Sequence, residues 1–88
     1  MSDERLLIFD RDFLDDLSHW VSTDRKIALK VLALVEDIRT DPFRGIGKPE
    51  PLRHLGSGIW SRRITGEHRL VYRVTNERLM FAQARYHY

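Results

Sequence analysis

The carboxy-terminal stretch GIWSRRITGEHRLVYRVTNERLMFAQARYHY, residues 58–88, decides the fold class of this 88-residue chain. Two short polar interruptions, Thr65–Glu67 and Thr75–Glu77, divide it into segments rich in β-branched and aromatic residues. Such segments between turn residues are typical of antiparallel strands. We therefore predict a three-stranded meander over Gly58–Ile64, His68–Val74 and Arg78–Tyr86.

The amino-terminal half has helical periodicity after its first residues. Arg5–Phe9 is a short apolar run that predicts a strand. Apolar residues then recur at helical spacing in two segments, Phe13–Val21 and Ile27–Ile38. The second predicted helix begins at Thr23 and ends before Asp41-Pro42, because the residue before a proline disfavours helical backbone angles.

Together these elements predict one α+β domain of the order β-α-α-β(3-4) over residues 1–88. Residues 42–58 hold all three prolines and four of the five glycines, so they form a loop with room for a short strand near Leu52. We expect the helical hairpin to pack on one face of a mainly antiparallel, twisted sheet. Strand parity places Met80, Ala82, Ala84 and Tyr86 on the core side and leaves Arg69, Arg73, Arg85 and His87 on the open side.

Composition excludes several classes of function. The chain has no cysteine, which excludes disulfides, cysteine-based zinc sites and thiol catalysis. Its four histidines lack the spacing of metal ligands, and no glycine-rich phosphate loop is present. No apolar run approaches the roughly 20 residues of a membrane-spanning helix, and the first residues do not form a signal peptide. We therefore expect a soluble, cytoplasmic protein without a metal, a cofactor or a membrane partner.

The net charge of +2 hides an uneven distribution. Residues 1–41 hold ten acidic and six basic residues, a net charge of −4, whereas residues 42–88 hold three acidic and nine basic residues, a net charge of +6. Twelve of the 15 basic residues are arginine, whose planar guanidinium binds phosphate bidentately and stacks on bases. The basic half indicates a polyanionic partner such as nucleic acid, although a plain solvated surface has the same composition.

Glu50 is distinctive because Pro49 and Pro51 restrict the backbone on both sides of its carboxylate. Such a residue suits a general base, although a solvated loop glutamate gives the same pattern. His87 could exchange a proton near neutral pH, unless the terminus frays. An arginine such as Arg69 could stabilise a phosphate. These groups would supply base, acid and positive charge for metal-free RNA cleavage, a combination that also occurs by chance.

Four segments carry a resemblance to a known family: GKPEPLRH (47–54), GIWSRRIT (58–65), EHRLVY (67–72) and RYHY (85–88). With the helical hairpin, they make nearly the whole chain resemble the YoeB family of RelE-like toxins from type II toxin–antitoxin modules. The resemblance implies a bacterial mRNA interferase that acts in the ribosomal A site. It also implies a homodimer that a YefM-like antitoxin neutralises with a disordered segment.

The resemblance further implies roles for individual residues. Glu50 corresponds to the general base of the family and His87 to its general acid. Arg69 corresponds to the arginine that stabilises the phosphate, and Tyr88 to the tyrosine that holds the substrate base. The implied RNA-facing basic positions are Lys48, Arg53, Arg62 and Arg63, with Glu67 in a supporting acidic position. No metal and no cofactor are implied.

An alternative hypothesis is that the protein has the same fold but binds its target without catalysing a reaction. The same RelE-like fold serves as a protein inhibitor in gyrase-targeting relatives, and a basic half could dock on ribosomal RNA without cleaving it. Such a protein would need neither a glutamate between two prolines nor a carboxy-terminal His-Tyr pair. Persistence of growth inhibition without His87 would favour this hypothesis.

Overall fold

A strand, a helical hairpin and four further strands follow one another in the computed structural model, which describes residues 4–86. A 3-10 turn over Arg53–Leu55 separates the second and third strands. This order confirms the predicted α+β class. The elements are β1 (Leu6–Phe9), α1 (Arg11–Thr23), α2 (Arg25–Thr40), β2 (Glu50–Pro51), β3 (Ile59–Arg63), β4 (Arg69–Val74) and β5 (Arg78–Gln83).

The five strands form one sheet in the order β1-β5-β4-β3-β2. β1 pairs parallel to β5, and all other neighbours are antiparallel. The helical hairpin crosses from β1 at one edge of the sheet to β2 at the other, and the following strands return across the sheet until β5 lies beside β1. The mainly antiparallel sheet is therefore as predicted, with β1 added at one edge and β2 at the other.

The hydrophobic core lies between the helical hairpin and one face of the sheet. Full burial of a valine, leucine, isoleucine or phenylalanine side chain stabilises a fold by about 1.5–3 kcal/mol. The buried members include Phe13 and Trp20 from α1, Ala28, Val31, Leu34, Val35 and Ile38 from α2, Leu70, Tyr72, Leu79 and Phe81 from the strands, and Ile64 and Ala84 directly after strands. We call the opposite side of the sheet, away from the helices, the open face.

β5 differs from the prediction in its length and in the side chains that it buries. It ends at Gln83 rather than at Tyr86. Leu79 and Phe81 are fully buried in the core. Met80 instead lines a cleft of about 230 Å³ on the open face. The predicted core side of this strand was therefore wrong for its first half.

A β-bulge explains why the predicted parity fails. Tyr72 pairs with Phe81, whereas its neighbour Val71 pairs with Gln83, so Ala82 is an extra residue in β5. One extra residue moves every later side chain to the other face. Ala84 is consequently buried in the core. Alternation along the sequence cannot reveal such an insertion.

The junction between the helices also lies later than predicted. α1 continues to Thr23, and the second helix begins at Arg25 rather than at Thr23. Asp24 adopts an extended conformation between them, and its carboxylate accepts a hydrogen bond from the Ile27 N–H at 3.4 Å. An aspartate at this position satisfies one of the free N–H groups of the helix start. The end of α2 before Pro42 agrees with the prediction.

Neither helix within residues 4–86 combines the length and the apolar character that are needed to cross a membrane.

Candidate functional site

Glu50 reaches the open face through the pairing of the edge strand β2. It pairs with Ser61, while Pro51 pairs with Trp60. Residues that pair across strands point to the same side of a sheet. Trp60 pairs in turn with the buried Tyr72 on the core side, so Glu50 and Ser61 lie on the open face. The carboxylate of Glu50 is thus exposed on the side that the helices leave uncovered.

Two arginines face each other on the same side of the sheet. Arg63 lies two residues beyond Ser61 in β3, and it pairs with Arg69 of β4. Arg63 is exposed, whereas Arg69 is partly buried and its Nε has no hydrogen-bond partner among the described residues. Like charges directly opposite each other destabilise a sheet. A phosphate between the two guanidinium groups would relieve this repulsion, so the pair is suited to bind an anion.

The loop that carries Lys48 is tied to β3 immediately before Glu50. The Arg63 N–H donates a hydrogen bond to the Gly47 carbonyl at 2.6 Å. Lys48 adopts a positive φ of 50°, and its side chain is exposed. Arg53 is also exposed, in the 3-10 turn after β2. Lys48 thus precedes Glu50 in the chain and Arg53 follows it. Both cations are accessible to a polyanion.

Arg62 has a different environment from the other basic residues of the site. Its side chain is fully buried and points into the core side of β3. All five guanidinium hydrogens are used within the protein. Nε donates to the Tyr72 hydroxyl, Nη1 to the Asp37 carboxylate and the Ile46 carbonyl, and Nη2 to the carbonyls of Asp41 and Arg44.

These hydrogen bonds correct the expectation that Arg62 faces RNA. A guanidinium with every donor satisfied internally has none left for a phosphate. Arg62 instead connects the loop after α2 to the sheet, and the Asp37 carboxylate 2.7 Å from Nη1 balances its charge. A buried charge of this kind is stable only when it is paired and hydrogen-bonded. Strand alternation explains why its neighbour Arg63 lies on the opposite face.

Glu67 lies in the turn between β3 and β4. The Thr65 hydroxyl accepts hydrogen bonds from the N–H groups of Glu67 at 3.2 Å and His68 at 3.1 Å, which shapes this turn. The Glu67 side chain is exposed, and its carboxylate lies 3.8 Å from Nε2 of His68. Glu67 therefore lies two residues before Arg69, the first residue of β4, and its supporting role stays a prediction.

The last described residue, Tyr86, lies beside Arg69. His87 and Tyr88, the predicted acid and base-stacking residues, lie outside the described residues. The preceding residue, Tyr86, accepts a hydrogen bond from the Arg69 N–H at 3.0 Å. The chain is thus attached to β4 at Arg69, directly before His87.

His68 contacts this segment, although it was not among the site residues predicted from the sequence. Its Nδ1 accepts a hydrogen bond from the Tyr86 N–H at 2.7 Å. His68 belongs to the EHRLVY segment, but that segment does not reveal the contact, because the contact joins residues 18 positions apart through the sheet. Only its position directly before Arg69 could have drawn attention to it.

Comparison with known proteins agrees with the architecture. A family model described as the YoeB-like toxin of bacterial type II toxin–antitoxin system matches residues 9–88. Toxin YoeB of Escherichia coli K12 is 54% identical over 82 residues, which cover 93% of this chain and 98% of that protein.

Solved structures show the same relationship. A YoeB dimer from Staphylococcus aureus is 35% identical, with a TM-score of 0.86 over 97% of this chain and 99% of that chain. A YoeB–YefM complex from the same organism is also 35% identical, with a TM-score of 0.81 over 96% of this chain and 98% of that chain. The chain therefore belongs to the YoeB-like toxin family of bacterial type II toxin–antitoxin systems.

Proposed function

We propose that this toxin is an endoribonuclease that cleaves mRNA in the ribosomal A site and thereby inhibits translation. The observation that carries the proposal is the shared placement of Glu50, Arg63 and Arg69 on the open face. A carboxylate beside two opposed cations is the arrangement that acid–base cleavage of a phosphodiester requires. The family membership supports the same activity.

The proposed reaction needs only side chains of this chain. Glu50 removes the proton of a ribose 2′-hydroxyl, and the oxygen attacks the adjacent phosphorus. Arg69 stabilises the negative charge that develops on the phosphate. His87 donates a proton to the leaving 5′-oxygen, which yields a 2′,3′-cyclic phosphate and a 5′-hydroxyl. Tyr88 stacks on the substrate base.

Binding of the RNA backbone is assigned to the exposed cations of the basic half. Lys48, Arg53 and Arg63 are solvent-exposed and border Glu50 or Arg69. Phosphate contacts of this kind position the RNA rather than read its bases. Glu67 is proposed to support the site from the adjacent turn.

The partners follow from the relatives. YoeB of Staphylococcus aureus has been solved as a dimer and in complex with YefM. By analogy, we propose that this chain forms a homodimer and that a YefM-like antitoxin neutralises it. The ribosome and its bound mRNA would be its targets in the bacterial cytoplasm.

The decisive experiment maps mRNA ends on translating ribosomes with purified wild-type toxin and two variants. Glu50→Gln keeps the size of the side chain and removes its basicity, and His87→Ala removes the acid. We expect each variant to lower the cleavage rate by about 10²–10⁴-fold. Glu77→Gln, at an exposed glutamate in the turn before β5, serves as the matched control and should cleave at the wild-type rate.

Two results would contradict the proposal. One is the absence of codon-positioned cuts with the wild-type toxin, and the other is an undiminished rate in both variants. Growth inhibition that persists in variants unable to cleave would instead favour the non-catalytic hypothesis.

A further inference from the structure

The segment after β5 is held by side chains of α1. The Asp16 carboxylate accepts a hydrogen bond from the Ala84 N–H at 2.9 Å. The indole Nε1 of Trp20 donates to the Ala84 carbonyl at 2.8 Å, in a buried position. Both backbone polar groups of Ala84 are therefore bonded to one helix, although β5 has already ended at Gln83.

The next contacts come from β4 and from the turn before it. The Arg69 N–H donates to the Tyr86 carbonyl at 3.0 Å, and His68 Nδ1 accepts from the Tyr86 N–H at 2.7 Å. Both backbone polar groups of Tyr86 are thus also bonded. Four hydrogen bonds hold the segment up to the residue that precedes His87.

Tyr86 adopts a backbone conformation that tyrosine rarely takes. Its φ is 62°, in the left-handed region that disfavours residues with a side chain. Such a conformation persists only where neighbouring groups impose it, and it often occurs at functional sites. The bond from the Tyr86 N–H to His68 lies at this residue, so it helps to hold the unusual backbone conformation of Tyr86.

The surroundings of His68 define its protonation. The imidazole is 9% exposed, with the Trp20 ring 4.7 Å and the Tyr86 ring 5.3 Å from its centroid. A backbone N–H can only donate, so Nδ1 must carry no proton in order to accept it. The imidazole is then neutral with its proton on Nε2, the nitrogen that lies 3.8 Å from the Glu67 carboxylate.

We propose that His68 is a positioning residue of the active site. Its unprotonated Nδ1 holds the Tyr86 backbone beside Arg69, and Tyr86 is the residue from which the proposed acid His87 follows in the chain. The proposal rests on the ribonuclease function proposed above, and it assigns His68 no contact with RNA. Loss of the acceptor should misplace the acid without weakening binding by the exposed cations, so kcat falls while KM changes little.

Two substitutions of His68 separate positioning from packing. His68→Leu fills the buried volume without an acceptor, whereas the Oδ1 of His68→Asn can occupy the place of Nδ1. We expect His68→Leu to lower kcat for cleavage on programmed ribosomes by about 10²-fold. His68→Asn should restore most of this loss. The matched control is His19→Leu, the same substitution at a histidine that lies on α1, and this variant should retain the wild-type kcat.

A spectroscopic measurement tests the same hydrogen bond without RNA. The imidazole ¹⁵N shifts of His68 in the isolated toxin should show an unprotonated Nδ1 and a protonated Nε2. A proton on Nδ1 would overturn the inference whatever the activity, and this readout holds even if His68→Leu fails to fold. Equal loss of kcat in the Leu and Asn variants, or no loss in a folded Leu variant, would also overturn it. A wild-type toxin that cleaves no mRNA would instead refute the proposed function, while the tautomer still tests the hydrogen bond.

Discussion

Arg62 and Arg63 are neighbours in the chain with opposite surroundings. The first is fully buried and donates five hydrogen bonds, whereas the second is exposed opposite Arg69. The charge of Arg62 is therefore used to stabilise the fold, and the charge of Arg63 is available to a ligand. The difference arises because successive residues of a strand point to opposite faces.

Replacing Arg62 with lysine tests this division. Lysine cannot reproduce the planar fork of five donors, so some of the loop carbonyls that Arg62 binds lose their partner. We expect Arg62→Lys to lower the free energy of unfolding by about 3 kcal/mol. Arg63→Lys should change it by no more than about 0.5 kcal/mol. Urea unfolding of both variants provides the measurement, and equal destabilisation would refute the structural role of Arg62.

Tyr72 gives the fold a dependence on alkaline pH. Burial raises the pKa of Tyr72, although the hydrogen bond from Arg62 acts in the opposite direction. The unfolded chain releases this proton near pH 10, whereas the folded chain retains it to higher pH. The corresponding stability is complete below about pH 10 and is lost as the pH rises through the folded-state pKa.

A phenylalanine variant isolates this effect. Tyr72→Phe removes the hydroxyl that donates to the Pro42 carbonyl at 2.6 Å, so it should be less stable than the wild type at pH 8 by about 1–3 kcal/mol. Because only the wild type loses the tyrosine contribution above about pH 10, the two unfolding free energies should converge there. Urea midpoints from pH 8 to pH 11 would show this, and parallel curves would contradict it.

The loop between α2 and β2 is the element on which the candidate site depends most. It has little secondary structure of its own, and bonds to its neighbours hold it instead. The Ile46 N–H donates to the Asp37 carboxylate at 3.0 Å, and Gly47 accepts from the Arg63 N–H. The geometry of this loop fixes the entry of the chain into β2, and therefore the position of Glu50.

Gly47 is the position where a side chain should disturb this loop. Its φ is +80°, and an added Cβ would lie 2.9 Å from Leu34 Cδ2 and 3.0 Å from the Arg63 carbonyl. We expect Gly47→Ala to destabilise the fold by about 2 kcal/mol and to slow RNA cleavage. Gly66→Ala is the control, because no described atom lies within 4 Å of its added Cβ. Equal unfolding midpoints for the two variants would show that the loop tolerates the change.

The charge of the whole molecule is divided between its two sides. Most of residues 1–41, with a net charge of −4, form the helical hairpin, and residues 42–88, with a net charge of +6, form the loop and most of the sheet. The helices cover one face of the sheet, and arginines lie on the other. This separation directs a polyanion to the open face.

Salt should therefore weaken RNA binding in proportion to the phosphates that the protein contacts. For single-stranded RNA the slope of log K against log salt is about −0.7 per contact, so Arg53→Ala with Arg63→Ala should flatten it by about 1.4. Arg11→Ala with Arg25→Ala, at exposed positions of the hairpin, is the matched control. Titration in a Glu50→Gln background avoids cleavage, and an unchanged slope in the first pair would exclude these contacts.

Local sequence patterns were sufficient to predict the helices and strands and part of the candidate site. Helical spacing, turn residues and Asp41-Pro42 identified the hairpin and the strands, because each depends on near neighbours. The prolines around Glu50 predicted a restricted, extended backbone at this residue. The structure places Glu50 in the strand β2, on the open face. The face of Arg69 also followed from strand alternation.

Tertiary structure alone decided the remaining features. Three features depend on contacts between different elements of the fold. They are the extra residue at Ala82, the burial of Arg62 and the contact between His68 and Tyr86. Strand alternation separates Arg62 from Arg63, but it is the packing of α2 and the following loop on the sheet that gives Arg62 the Asp37 carboxylate and the loop carbonyls as partners. The sequence by itself therefore determined the α+β class and the basic character of the sheet half. Long-range pairing determined which of those charges are exposed, because burial and hydrogen bonding are settled only when distant elements pack.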